Sequence, residues 1–163
     1  MWHERAYTNS GTLERHLVDE CSYEPTQNAH ILGAYNSTKI LSYNSSTFTD
    51  NGTVITRLRV CPHLSNENYR LFCSRLWLDM QNGVGLVSGQ GSNPQVMLDW
   101  SDNGGHTWSY EKWASAGELG KYNNRVYWNR LGSFRDRVFR FKITDPVEII
   151  IIDATLEVRR GRS

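Results

Sequence analysis

The chain has 163 residues and a formal net charge of +1, which is the size of one domain or of one domain with an appendage. Gly, Asn, Ser and Thr together supply 52 residues, and aromatic residues supply 19 more. This composition disfavours long helices and favours short strands joined by turns. The hydrophobic share of 39% excludes wholesale disorder. The longest aliphatic run, residues 149–152, is too short for a membrane helix, and no secretory leader is expected after Met1.

Alternating apolar and polar residues predict a series of short strands. The predicted strands span residues 29–35, 38–43, 53–60, 69–80, 95–100, 107–113, 125–131, 137–143 and 147–158. Within the longest of them, Leu76, Leu78 and Met80 share one face. Asn51-Gly52 is a strong hairpin signal, and the Gly- and Ser-rich residues 82–93 predict an exposed loop. The aliphatic residues 149–152 predict a strand that is buried on both faces.

The spacing of these strands predicts an all-β protein with two parts. About seven strands follow residue 52, so residues 53–163 are predicted to form an antiparallel β-sandwich. Residues 1–52 hold a few short strands with little apolar material, which is typical of one propeller blade. A single blade cannot bury both of its faces, so this propeller-blade-like segment is expected to need a partner.

Charge is distributed unevenly along the chain. Residues 1–120 hold 8 basic and 12 acidic residues, whereas residues 121–163 hold 10 basic and 5 acidic ones. A basic segment of this kind can face nucleic acid or an acidic partner. A solvated or subunit-facing surface is the alternative interpretation.

One short motif stands out in the second half of the chain. It resembles the Asp-box turn of many β-hairpins, and its members are Ser101, Asn103, Gly105, Thr107 and Trp108. A side-chain oxygen at the third position accepts backbone N–H groups, a glycine permits positive φ, and the tryptophan packs beneath the turn. Asn103 stands where the motif usually has Asp, and Asp102 comes one position early. In proteins that bear it, this motif lies away from the catalytic centre, so it indicates β structure.

The chain shows no known catalytic or cofactor motif. Arg125, Tyr127 and Arg130 lie close in sequence, as a sialidase-like site would require, but alternation places Arg130 opposite Tyr127. The three cysteines form no CxxC pair, and reduced, mostly buried thiols are expected. We therefore predict a non-enzymatic protein without catalytic residues, cofactor or metal.

The tryptophans leave a second function open. Trp100, Trp108, Trp113 and Trp128 lie on successive predicted strands, where they fill a core or an interface more often than a sugar platform. With the Asp-box-like hairpin, they make a β-sandwich carbohydrate-binding module the alternative.

An ordered series of segments resembles a known family. The segments are residues 97–109, 125–132, 135–139, 144–147 and 151–154, and residues 2–7, 30–33 with 39–40, and 50–52 with 55–57 look similar as well. Together they resemble the C-terminal part of the packaged DNA stabilisation protein, a tail hub or nozzle component, of P22-like short-tailed bacteriophages. Members of that family are longer than this chain.

The resemblance implies a virion tail protein, made in the cytoplasm of the bacterial host, that plugs or extends the portal channel and stabilises packaged DNA. It also implies a hexameric ring and contacts with portal-adaptor, tailspike and tail needle proteins. In that setting the basic segment meets a neighbouring subunit or touches DNA without sequence preference. The candidate interface or DNA-channel residues are Arg125, Arg130, Arg135, Arg137 and Arg140.

Overall fold

The computed structural model describes residues 4–161, and these contain sixteen β-strands and no helix. The strands are β1 Ala6–Asn9, β2 Thr12–Arg15, β3 Val18–Glu24, β4 Ala29–Ala34, β5 Ile40–Ser42, β6 Thr49–Asp50, β7 Thr53–Val54, β8 Arg57–Val60, β9 Leu64–Ser65, β10 Leu71–Met80, β11 Gln95–Ser101, β12 Lys112–Ser115, β13 Val126–Asn129, β14 Ser133–Phe134, β15 Asp136–Ile143 and β16 Ile151–Arg160. Every pair of neighbouring strands is antiparallel. The predicted all-β class is confirmed.

The chain divides into two compact units after Ile55, three residues beyond the predicted boundary at residue 52. We call them the N-terminal unit and the sandwich unit. The N-terminal unit contains a β1–β2 hairpin, a three-stranded β3–β4–β5 sheet and a β6–β7 hairpin. Asn51 and Gly52 close the last hairpin with φ values of +48° and +83°, as its sequence predicted. Among the described residues these strands form three separate sheets, whereas a propeller blade has one four-stranded sheet. The interpretation of residues 1–52 as a propeller-blade-like segment stays a prediction.

Two antiparallel sheets make up the sandwich unit. In the first, β10 pairs with β16 along one edge and with β13 and β14 along the other. In the second, the order is β12–β11–β15–β8, and β9 pairs with the end of β15. The sheets pack face to face because each strand alternates apolar and polar residues, so that one side of each sheet is hydrophobic.

The core of the sandwich unit is aromatic at its centre. Phe139 is 1% exposed, and its ring lies 6.4 Å from that of Phe134 in an edge-to-face arrangement. Trp128 packs against Phe141 at 5.9 Å. Each of these side chains contributes about 1.5–3 kcal/mol by burial alone.

The longest predicted strand corresponds to β10, and its alternation is confirmed with one interruption. Leu76, Leu78 and Met80 are all buried, as expected. Upstream, Leu71 and Cys73 are buried too, which breaks strict alternation. A bulge between Cys73 and Arg75 accommodates the extra residue, so both halves of the strand point their apolar side chains into the core.

The sequence was misleading at the start of β16. Ile150, Ile151 and Ile152 are 48%, 40% and 74% exposed, so the prediction of burial on both faces is wrong. Burial of that kind needs a neighbour on each side and a layer on each face. Within the described residues, β16 pairs only with β10 and forms an edge of its sheet.

Two further predictions need correction. The single strand predicted over residues 53–60 is two strands, β7 and β8, which belong to different units. The 82–93 segment contains no strand, as expected, but it is not wholly exposed, since Gly83, Gly85 and Gly91 are buried. A Cβ on Gly85 would lie 2.6 Å from the carbonyl oxygen of Ser92. The glycines therefore allow close packing as well as turning.

Candidate functional site: a braced turn and an arginine-rich surface

The predicted Asp-box-like turn lies in the connection between β11 and β12. The Ser101 hydroxyl accepts the N–H of Gly105 at 2.8 Å and donates to Asn103 Oδ1 at 2.7 Å. The same Oδ1 accepts the N–H of Thr107 at 2.9 Å. Gly104 and Gly105 have φ values of +71° and +95°, which residues with a Cβ rarely adopt. The side chains of Ser101 and Asn103 thus accept hydrogen bonds from backbone N–H groups of the turn, which lie outside the strand pairing.

Asn103 performs the role that Asp usually has in the motif. Its Oδ1 serves as the acceptor, while its Nδ2 donates to the Thr107 hydroxyl at 2.9 Å. Asp102 is therefore free for another task, and it binds the guanidinium of Arg137 through both carboxylate oxygens, at 2.6 and 2.8 Å. Asn103 therefore forms the turn, while Asp102, one position earlier, forms the ion pair with Arg137.

Arg137 was predicted as an interface or DNA-channel residue, but it is 3% exposed. Beyond its bidentate pair with Asp102, it donates to the carbonyl of Leu131. Its guanidinium carbon lies 4.4 Å from the ring centroid of Phe134 and 5.0 Å from that of Trp100. A buried guanidinium needs such partners, because burying an unpaired charge is very costly. Arg137 thus ties the turn to the core of the sandwich unit.

Arg140 has a similar bracing role on the other face of β15. Its guanidinium pairs with Asp99, which is 4% exposed, and lies 3.8 Å from the ring centroid of Trp108. Trp108 is the last residue of the predicted motif. The cation–π contact and the ion pair together hold the ring against the sheet.

The remaining three predicted arginines are exposed. Arg125 precedes β13, Arg130 follows it with a φ of +57°, and Arg135 lies between β14 and β15. Arg135 donates to the carbonyl of Asn68. The structure therefore divides the five predicted arginines into two that brace the fold and three that face solvent.

Sequence reasoning missed further arginines on β10 and beside it. Arg70 donates to the Ser133 hydroxyl at 3.2 Å, and Arg75 donates to Asn129 Oδ1 at 2.9 Å. Arg159 lies 5.7 Å from the ring centroid of Phe72, and Arg160 lies 3.5 Å from that of Tyr69. Together with Arg130 and Arg135, they form what we call the arginine surface. The adjacent residues Arg159 and Arg160, near the end of the basic segment, were the sequence signal for this surface.

No member of the arginine surface forms an ion pair with a carboxylate in the part of the chain that the structure describes. Their guanidinium groups instead contact rings, hydroxyls and carbonyl groups. Such contacts orient an arginine without neutralising it, so the surface can receive an anionic partner.

The tryptophans do not form a common platform. Trp128 is 4% exposed, and its indole N–H donates to the carbonyl of Lys112 at 2.9 Å. Trp100 packs against Phe139, and Trp108 is covered by Arg140, whereas Trp113 is 60% exposed. The alternative of a carbohydrate-binding module is therefore not favoured.

The cysteines Cys21, Cys61 and Cys73 are free thiols. Burial raises the pKa of the Cys61 thiol and that of the Cys73 thiol, which lowers their thiolate fraction at neutral pH. Among residues 4–161, no group of three His, Cys, Asp or Glu side chains is placed to hold a metal ion. The same residues include no helix of the length and hydrophobicity that a membrane span requires.

The fold and these contacts define a β-sandwich domain whose charged residues brace a hairpin and present an arginine-rich surface. A family model described as "Bacteriophage P22 Gp10, beta-sandwich" matches residues 56–159. The match covers most of the chain, and the chain belongs to this family. The match supports a P22-like phage tail protein and its C-terminal part, as the sequence resemblance implied. No curated protein matches the chain.

Proposed function

We propose that the chain is a non-enzymatic subunit of a bacteriophage tail that extends or plugs the portal channel and helps to retain packaged DNA. The observation that carries this proposal is the family match over residues 56–159, which coincides with the sandwich unit. The match supports a structural protein of the phage tail located in the virion. The roles in the portal channel and in DNA retention are the part that we propose.

The structure supports a role in assembly through the way its charges are used. Asp99, Asp102, Arg137 and Arg140 brace the hairpin internally, whereas the arginine surface forms no ion pair with a carboxylate among residues 4–161. We propose that the hexameric ring, the portal-adaptor, the tailspike and the tail needle are its assembly partners. Any contact with DNA would use exposed Arg125, Arg130 or Arg135 and would weaken with salt.

The proposal is tested in the phage that encodes the chain. Particles assembled without it are expected to lose DNA from filled heads, and the measurement is nuclease-protected DNA per capsid after purification. Supplying the chain in trans should restore retention. Heads that keep their DNA without the chain would overturn the proposed role in DNA retention, and absence of the chain from purified virions would overturn the role as a tail component.

Charge reversal of exposed arginines sharpens that test. Arg130→Glu with Arg135→Glu is expected to lower DNA retention, and the difference from the unmodified chain should shrink as salt is raised, because screening weakens the ionic contacts that only the unmodified chain makes. Arg59→Glu is the matched control, since Arg59 is exposed on β8, away from these residues. Equal retention by all three forms at every salt concentration would count against an ionic role for this region.

A further inference from the structure

The two units carry opposite charge. Residues 1–55 contain 3 basic and 6 acidic residues, while residues 56–163 contain 15 basic and 11 acidic ones. Each unit also presents a groove that combines exposed apolar side chains with charges of its own sign.

The groove of the sandwich unit lies beside the β10 bulge within the arginine surface. It has a volume of about 670 Å³ and is lined in part by Arg130, Arg159, Glu157, Phe72 and Val158. Phe72 and Val158 are 41% and 45% exposed. We call it the arginine groove: an apolar floor with guanidinium groups at its rim.

The lining of the arginine groove distinguishes between two kinds of anionic partner. A DNA backbone offers phosphates alone, so it would leave the Phe72 and Val158 side chains uncovered. A protein surface that combines carboxylates with apolar side chains would cover the floor and pair with the rim. Arg and aromatic residues are also the residue types enriched in protein interfaces.

The N-terminal unit offers a surface of that chemistry. A second groove, of about 210 Å³, lies on the β3–β4–β5 sheet and is lined in part by Glu20, Ile31, Leu32 and Ile40. Ile40 is 78% exposed, and Glu20 has no ion-pair partner among the described residues. We call this surface the acidic face.

We propose that the acidic face of one copy of the chain binds the arginine groove of a second copy. The two surfaces differ, so the contact is heterologous and joins subunits head to tail. Glu20 then pairs with the Arg130 and Arg159 guanidinium groups, while Ile40 covers Phe72 and Val158. This inference rests on the proposed function only in taking the chain to be one subunit of an assembly.

A charge-swap experiment on the full chain tests the contact. Sedimentation velocity over a concentration series at low salt is expected to show self-association that weakens as salt is added. Arg159→Glu and Glu20→Arg should each weaken it by roughly tenfold or more, because each places like charges opposite one another. The double variant restores an opposite pair and should recover association. Arg59→Glu is the matched control and should behave as the unmodified chain.

The outcomes separate the possible occupants. A chain that stays monomeric throughout the series, or a double variant no better than the single ones, would overturn the proposal. So would Arg159-dependent binding of a fluorescent duplex DNA, measured by anisotropy, without self-association. Thermal melting of each variant shows whether it is folded, so that loss of association is not confused with loss of structure. These assays need no phage particle, and their failure would leave the DNA-retention test intact.

Discussion

The two units of this chain solve the problem of stability in different ways. The sandwich unit contributes eighteen of the buried hydrophobic residues in the described part of the chain, whereas the N-terminal unit contributes only Leu17. Hydrophobic burial is the dominant favourable term in folding, and short sheets without a buried face are marginal in water. The comparison teaches that strand pairing alone does not make a domain. The N-terminal unit has strands but nearly no core.

The largest expected effect tests this contrast directly. Phe139→Ala should lower the free energy of unfolding by about 3–5 kcal/mol, because it opens a cavity at the centre of the core. Urea denaturation followed by tryptophan fluorescence measures it, since Trp77, Trp100, Trp108, Trp113 and Trp128 all lie in the sandwich unit. Leu17→Ala should barely shift the same transition, and Ile40→Ala is the exposed control. An equal shift from Leu17→Ala would show that the two units unfold together.

Arg137 offers the next effect in size. Arg137→Ala is expected to destabilise the sandwich unit by about 3 kcal/mol, because it removes the buried partner of Asp102 and of the Leu131 carbonyl. Asp102→Asn should be costly too, because it leaves the charge of the buried Arg137 guanidinium without a carboxylate partner. The comparison uses urea midpoints, with Arg125→Ala as the exposed control. A cost for Arg137→Ala no greater than that of the control would remove its bracing role.

The hairpin turn should give a smaller effect. Asn103→Ala removes the acceptor shared by Ser101 and the Thr107 N–H, and about 1 kcal/mol of stability should go with it. Asn103→Asp keeps that acceptor, and the Thr107 hydroxyl can donate to it in return, so this variant should lose less. Differential scanning calorimetry measures both changes. If the aspartate form is the less stable of the two, the acceptor role assigned to Asn103 is wrong.

Thiol chemistry gives the smallest effect and again separates the units. Cys21 is exposed in the N-terminal unit, whereas Cys73 is buried and has a raised pKa. Alkylation of Cys73 should therefore begin at higher pH than that of Cys21, as mass spectrometry of the labelled chain can show. Because the pKa of the Cys73 thiol is higher in the folded chain than in the unfolded chain, the free energy of unfolding is unaffected below the unfolded pKa. It falls as the pH rises from there through the folded pKa. Equal labelling of both thiols at neutral pH would contradict their different burial.

The sequence predicted what depends on local alternation. The shared face of Leu76, Leu78 and Met80 on β10 and the Asn51-Gly52 turn follow from neighbouring residues, and the structure shows both of them. Local alternation did not predict that Arg137 would be buried and paired with Asp102, because that contact joins residues 35 positions apart.

Other features were beyond the reach of local pattern. The exposure of residues 150–152 depends on β16 having one neighbour, and a continuous aliphatic run cannot reveal how many neighbours its strand has. The arginine surface joins residues 70, 75, 130, 135, 159 and 160, which only the pairing of β10 with β13, β14 and β16 brings together. The Arg125, Arg130 and Arg135 group was found because its members are close in sequence.

Ser74, the extra residue of the β10 bulge, sets the phase of a whole strand. Upstream of it odd-numbered residues face the core, and downstream even-numbered residues do. If the strand alternated strictly through this serine, without the bulge, either Leu71 and Cys73 or Leu76, Leu78 and Met80 would turn towards water. Deleting Ser74 would thus leave a regularly alternating strand with one apolar face, and single substitutions at its exposed side chain should pass almost unnoticed.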